Sequence, residues 1–111
     1  MILPRNLQIG SGNKFKPDFF NIDINPNKKV DALLDIAEPI RWGAPIQTER
    51  LGEVQLTRGC FDYILCEHVL EHIPNLVAAM TNCLDLLADG GVMEIEVPYD
   101  LSYGAWMDPT H

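Results

Sequence analysis

Residues 61–97 read FDYILCEHVLEHIPNLVAAMTNCLDLLADGGVMEIEV, and this stretch decides the fold. Phe61–Cys66 is an apolar and aromatic run broken only by Asp62, the composition of a buried strand. Pro74 suits a first helical position. Leu76, Met80, Cys83, Leu84 and Leu87 then recur at helical spacing, and Gly90 suits the residue just past a helix C-terminus. Val92–Val97 reads as the next strand, opened by Gly90-Gly91 and closed by Pro98. Strand, helix and strand over this length form a βαβ unit, which closes right-handed onto a parallel sheet. In the second of these strands Met93, Ile95 and Val97 alternate with Val92, Glu94 and Glu96. Strands buried on both faces read as continuous apolar runs, so this one is expected to be half-covered.

Upstream, three more short strands are expected. Leu7–Ile9 runs into Gly10-Ser11-Gly12, Phe19–Ile24 ends before Asn25-Pro26-Asn27, and Ala32–Ile36 is stopped by Glu38-Pro39. The stretch 41–59 is ambiguous; Thr48–Val54 reads as a short helix weakened by Gly52. The five strands and their crossovers fit one α/β domain spanning residues 1–111. A chain of 111 residues with 47% hydrophobic content can bury one sizeable core but not two.

Sixteen acidic residues face eight basic ones, for a formal charge of −8. Lys28-Lys29 is the only adjacent basic pair, so neither nucleic acid nor an anionic membrane surface is an expected partner. No apolar run approaches the roughly 18–20 residues that span a bilayer. Cys60, Cys66 and Cys83 follow no metal spacing and read as reduced thiols. With no signal peptide visible in MILPRNLQIG, the expected location is cytoplasmic.

Three motifs carry chemistry. In LQIGSGN, residues 7–13, a strand feeds Gly10-Ser11-Gly12, where the missing side chains let a ligand approach the backbone. A dinucleotide fingerprint needs a third glycine at position 15, which is Phe15, and an acid later than Asp23. Asp23 and Asp35 each sit in a hydrophobic-Asp-hydrophobic strand end. A carboxylate there either accepts ribose hydroxyls or caps its own turn. In EHVLEHIP, residues 67–74, His68, Glu71 and His72 match a zinc-hydrolase pattern. Pro74, two residues on, argues against one uninterrupted metal-binding helix, and a strand-to-helix turn at the sheet edge is the other reading.

With these segments in order, residues 5–98 resemble the class I S-adenosylmethionine-dependent methyltransferases. LQIGSGN is similar to their Gly-rich first motif, and NIDIN and LLDIA to the acidic ends of their second and third strands. FDYILCEHVLEHIPN is similar to their fourth strand and turn, and LADGGVMEIEVP to their fifth strand. The resemblance implies a Rossmann-like three-layer α/β sandwich with a mainly parallel five-stranded sheet in the order 3-2-1-4-5. It implies S-adenosylmethionine as cofactor and methyl transfer to an unidentified small-molecule or other acceptor.

The resemblance also implies roles for individual residues. Gly10, Ser11 and Gly12 would lie against the methionine part of the cofactor. Asp23 would hold the ribose hydroxyls, Ile24 would pack near the adenine, and Asp35 and Ile36 would face the adenine edge. Cys66 and Glu67 would sit beside the methionine ammonium. His68 would border the exit of the methyl group, and His68 and His72 are the candidate general bases.

Two features depart from the family pattern. Residues 13–18 leave no room for the usual helix between the first two strands, and the sequence ends soon after the fifth strand where the family has seven. The expectation is a truncated methyltransferase fold: a truncated gene, a fragment, or a minimal domain completed by a partner. An uncovered fifth strand also predicts homo-oligomer formation. The alternative functions are a non-catalytic S-adenosylmethionine-binding or interaction module, and a zinc hydrolase built on His68, Glu71 and His72.

Overall fold

The computed structural model describes residues 3–10, 14–67 and 74–96. The elements are β1 (Asn6–Ile9), β2 (Phe20–Asp23), β3 (Ala32–Leu33), β4 (Pro45–Thr48), β5 (Gly52–Gln55), β6 (Phe61–Glu67), α1 (Leu76–Leu86) and β7 (Leu87–Glu96). Five strands form a parallel sheet in the order β3-β2-β1-β6-β7, which is the expected order with the extra pair β4-β5 set aside.

Register sorts the side chains into two faces. Leu7 pairs with Phe20 and Ile64, Ile9 pairs with Ile22 and Cys66, and Ile64 and Cys66 pair in turn with Met93 and Ile95 of β7. All of these lie on one face and join Ala79, Cys83 and Leu86 of α1 in the main core. Val92 is exposed and Met93 and Ile95 are half-buried, so β7 alternates as its sequence predicts.

The opposite face carries Gln8 and Asn21, both fully buried. Here the irregular segment 14–19 takes the place of a helix, held by side-chain amides. Gln8 Nε2 donates to the Lys14 carbonyl (2.9 Å) and to Asn21 Oδ1 (2.8 Å), while Asn21 Nδ2 donates to the Lys16 and Phe19 carbonyls. Asp31 and Arg50 complete this network: Arg50 donates to both Asp31 oxygens at 2.9 Å and to the Pro17 and Phe19 carbonyls.

Four boundaries differ from the sequence expectations. Pro74 precedes the helix, and Asn75 is the N-cap, its Oδ1 accepting from Ala78 N–H at 3.1 Å. The helix ends at Leu86 rather than beside Gly90, with the Leu87 N–H donating to the Cys83 carbonyl as the chain turns extended. Thr48–Val54 is no helix. It is most of an antiparallel hairpin in which Thr48 Oγ accepts from Leu51 N–H and donates to the Gly52 carbonyl, and Gly52 takes a φ of +72°. β3 is only two residues long, because the chain turns at Asp35, whose Oδ1 accepts from Ala37 N–H and whose carbonyl accepts from Glu38 N–H.

Gly90 and Gly91 lie inside β7, where the register with β6 jumps from Phe61–Leu87 to Tyr63–Val92. A Cβ on Gly91 would lie 2.8 Å from the Asp62 carbonyl oxygen, 2.9 Å from that of Ala88 and 2.7 Å from Leu87 Cδ1. Two of these contacts are backbone, so the neighbours cannot swing away. Gly91→Ala is therefore expected to lower unfolding free energy by about 1–3 kcal/mol, the usual range for overpacking. Gly90→Ala meets no atom within 4 Å, and its cost comes only from the φ of +78°. Urea denaturation of the two variants checks the order, and a smaller loss at position 91 than at 90 would contradict it.

Candidate functional site

In open parallel sheets ligands bind outside the carboxyl ends of the strands. At this edge β1 ends in Ile9 and passes into Gly10, which has a φ of +75° and donates its N–H to the Ile22 carbonyl at 2.9 Å. That bond ties the start of the Gly-rich turn to the neighbouring strand, in a conformation that favours glycine. Ser11 and Gly12 lie outside the described residues.

Asp23 closes β2 on the same edge. Its Oδ1 accepts from Asn25 N–H at 3.1 Å, so the carboxylate does cap its own turn. Its carbonyl accepts from Leu34 N–H, joining the end of β3. Among the described residues Asp23 Oδ2 has no hydrogen-bond donor. Beside it, Ile24 is 66% exposed and Leu33 is 56% exposed, two large apolar side chains turned to solvent at a strand edge.

Asp35 is exposed in the turn after β3 and borders a cleft of about 650 Å³. The facing wall is the start of α1, with Asn75, Ala78 and Asn82. Asn82 Nδ2 donates to the Ile36 and Glu38 carbonyls, both at 2.8 Å, so the helix is tied to the turn and the cleft width is fixed. Asn82 was not among the expected site residues. Its only trace in the sequence is one of three polar residues, with Thr81 and Asp85, in a mainly apolar helix.

Two of the expected residues present backbone rather than side chain. The Ile36 side chain is buried in the core, and Cys66 is fully buried on the core face of β6. A hydrogen bond with Cys83 together with burial pushes the Cys66 thiol well above its ordinary value. The thiol is therefore neutral near pH 7 and no nucleophile. Glu67 ends β6 beside Glu96 of β7. His68, Glu71 and His72 lie outside the described residues, so the proposed bases and the zinc reading both fall there. Among the described residues no three His, Cys, Asp or Glu side chains form a metal cluster. No described helix is long and apolar enough to cross a membrane.

Gln8 is a second residue that the sequence did not mark. It is fully buried two positions before Gly10, its Nε2 donates to the Lys14 carbonyl, and among the described residues its Oε1 has no partner. A glutamine in a strand pattern reads as a solvent-facing residue, and only the fold shows that this one spans the base of the Gly-rich turn.

A family model described as a methyltransferase domain matches residues 7–109. No curated protein matches the chain. The match covers every strand-end position described above and nearly the whole sequence. With its parallel sheet in the order β3-β2-β1-β6-β7, the chain belongs to the methyltransferase-domain family and is a class I S-adenosylmethionine-dependent methyltransferase-like protein.

Proposed function

We propose that the chain binds S-adenosylmethionine along the carboxyl edge of the sheet and transfers its methyl group to an acceptor. The observation that supports this most directly is the row of strand ends. Gly10, Asp23 and Asp35 stand at the ends of three adjacent parallel strands, and among the described residues Asp23 Oδ2 has no donor beside the exposed Ile24. The residues fit the chemistry of the cofactor. A ribose offers two hydroxyl donors, which suits Asp23; adenine is flat and apolar on its faces, which suits Ile24, with Asp35 and the backbone of Ile36 at its rim. The turn from Gly10 through Ser11 to Gly12 would run against the methionine part. The Cys66 carbonyl and Glu67 would meet the ammonium.

The cofactor supplies a methyl group already activated on a sulfonium, so the protein contributes mainly alignment. An acceptor lone pair would displace the sulfur in line, the C–S bond pair would stay on sulfur, and an acceptor O–H or N–H would give up its proton. His68 or His72 would take that proton where the acceptor is a hydroxyl. The excess of acidic groups also suits a cationic donor.

Calorimetry with S-adenosylmethionine and its demethylated product tests the reading, with both expected to bind. Asp23→Ala is expected to weaken each by about 10- to 100-fold, as for hydrogen bonds to a charged group worth about 1.5–3 kcal/mol. No binding by the wild-type chain, or an Asp23→Ala variant that binds as tightly, would overturn the assignment. Release of the demethylated product in the presence of an acceptor separates methyl transfer from binding alone.

A further inference from the structure

The stretch that returns the chain from the Gly-rich turn to β2 is held by other elements rather than by itself. A helix satisfies its own interior carbonyls, but Pro17 disfavours a helix interior and residues 14–19 are irregular. Their carbonyls are taken by side chains from elsewhere. Gln8 of β1 holds that of Lys14, and Asn21 of β2 holds those of Lys16 and Phe19. Arg50, at the tip of the β4–β5 hairpin, holds the Pro17 carbonyl at 2.7 Å and the Phe19 carbonyl at 2.8 Å. Its guanidinium carbon also lies 5.0 Å from the centre of the Phe15 ring, within reach of a cation–π contact.

Arg50 reaches the Gly-rich turn by a second route. It donates to Asp31, Asp31 accepts from the backbone and side chain of Asn21, and Asn21 Oδ1 accepts from Gln8 Nε2 and from Lys16 N–H. Gln8, Asn21 and Asp31 are buried, where hydrogen bonds in a chain reinforce one another. The turn therefore has two described anchors of different kinds. Gly10 is fixed on the Ile22 carbonyl, within the sheet, and Lys14 on this side-chain network. We propose that Arg50 is a positioning residue for the Gly-rich turn. From the hairpin it fixes segment 14–19 and the Asp31–Asn21–Gln8 chain, and so sets the affinity for S-adenosylmethionine through them. The affinity effect rests on the cofactor reading above; the positioning of the turn does not.

The test compares Arg50→Gln with Gly91→Ala, a control that loses stability near Asp62, at the opposite end of β6 from the Gly-rich turn. Amide hydrogen exchange is read on the cofactor-free full chain. Arg50→Gln is expected to speed exchange at Gly10 by about tenfold through local opening. The Leu87 amide, bonded to the Cys83 carbonyl at the end of α1, should change no more than in the control. Calorimetry with the demethylated product is expected to show binding weakened by about 3- to 10-fold in Arg50→Gln, as for residues that act on a site from outside it, and unchanged in Gly91→Ala. Arg50→Lys keeps the charge beside Asp31 but lacks the planar fork that also spans the two carbonyls, so it should recover only part of the loss. Gly10 exchange no faster in Arg50→Gln than in the control would overturn the proposal. So would full recovery by Arg50→Lys, or equal weakening of binding in the two main variants. A wild-type chain that binds no product would overturn the cofactor reading instead, and the Gly10 amide would then decide the positioning role alone.

Discussion

Asp31→Ala is expected to lower the unfolding free energy by about 2–4 kcal/mol, because it leaves the buried Asn21 N–H without its acceptor and the half-buried Arg50 without its partner. The Asp31 side chain is 1% exposed. Its Oδ1 accepts from Arg50 Nε at 2.9 Å, and its Oδ2 accepts from Arg50 Nη2 (2.9 Å), Asn21 N–H (2.8 Å) and Asn21 Nδ2 (3.1 Å). Alanine leaves the fully buried Asn21 N–H without its acceptor, while the Arg50 guanidinium, 34% exposed, keeps the Pro17 and Phe19 carbonyls and reaches water. Against a typical net stability of about 5–15 kcal/mol, such a loss leaves a marginal fold. Asp31→Asn keeps the shape and one carbonyl acceptor, and should cost less.

The same residue gives the protein an acid limit. Burial alone pushes the Asp31 carboxyl up, but the hydrogen bonds from Arg50 and from the Asn21 backbone and side chain outweigh it, and the group ends below its ordinary 3.8. A folded value below the unfolded one adds stability that is fully present above the unfolded value and lost as pH falls through the folded value. Wild-type stability should therefore fall as the pH drops below 3.8. Asp31→Asn should lack that share of the decline. Urea titrations of both proteins from neutral pH into this acid range should converge, and a constant gap would refute the ion-pair account.

Phe20→Ala is the other large loss, about 3–5 kcal/mol. The Phe20 ring is fully buried on the core face of β2 and stacks on Phe61 with centroids 6.3 Å apart and planes 13° apart. Truncation removes that contact and opens a void beside Leu7 and Ile22. For a domain of this size about 1 kcal/mol corresponds to roughly 4–8 °C, so the melting temperature should drop by more than about 12 °C. Phe20→Leu, which refills most of the void, should cost far less. Equal losses for the two variants would show that the backbone, rather than the ring, sets the cost.

The sheet was legible because its strands carry the signal in themselves. Phe61–Cys66 is apolar on both faces, and Leu7–Ile9 and Phe19–Ile24 run straight into turn residues. The strand-end positions of Gly10 and Asp23 followed from the same reading. Long-range pairing was illegible. Asn82 meets the carbonyls of Ile36 and Glu38 across 46 and 44 residues, and Arg50 meets Asp31 across 19, with no local pattern to announce either. The hairpin was missed because Thr48–Val54 lacks a two-residue Asn-Gly turn, and its bend rests on a threonine hydroxyl and the positive φ of Gly52. The helix end was misplaced because Leu87 and Ala88 suit a helix as well as a strand, and only pairing with β6 draws them out. The direction of Ile36 was not readable either, since the turn at Asp35 breaks the alternation that the preceding strand would have continued.

The hairpin and its Arg50 anchor also bear on the order in which the chain folds. The central pairing of β1 with β6 joins Asn6 to Tyr63, so 57 residues of chain must close before it gains anything. The hairpin joins Thr48 to Gly52, and contacts this local form in about 1–10 μs. Once formed, it carries Arg50 to Asp31 and folds 19 residues of the intervening chain out of the way. By loop-closure entropy that shortening is worth a few tenths of a kcal/mol at the slow step. Mutations that loosen the hairpin tip should thus slow refolding as well as weaken the native state.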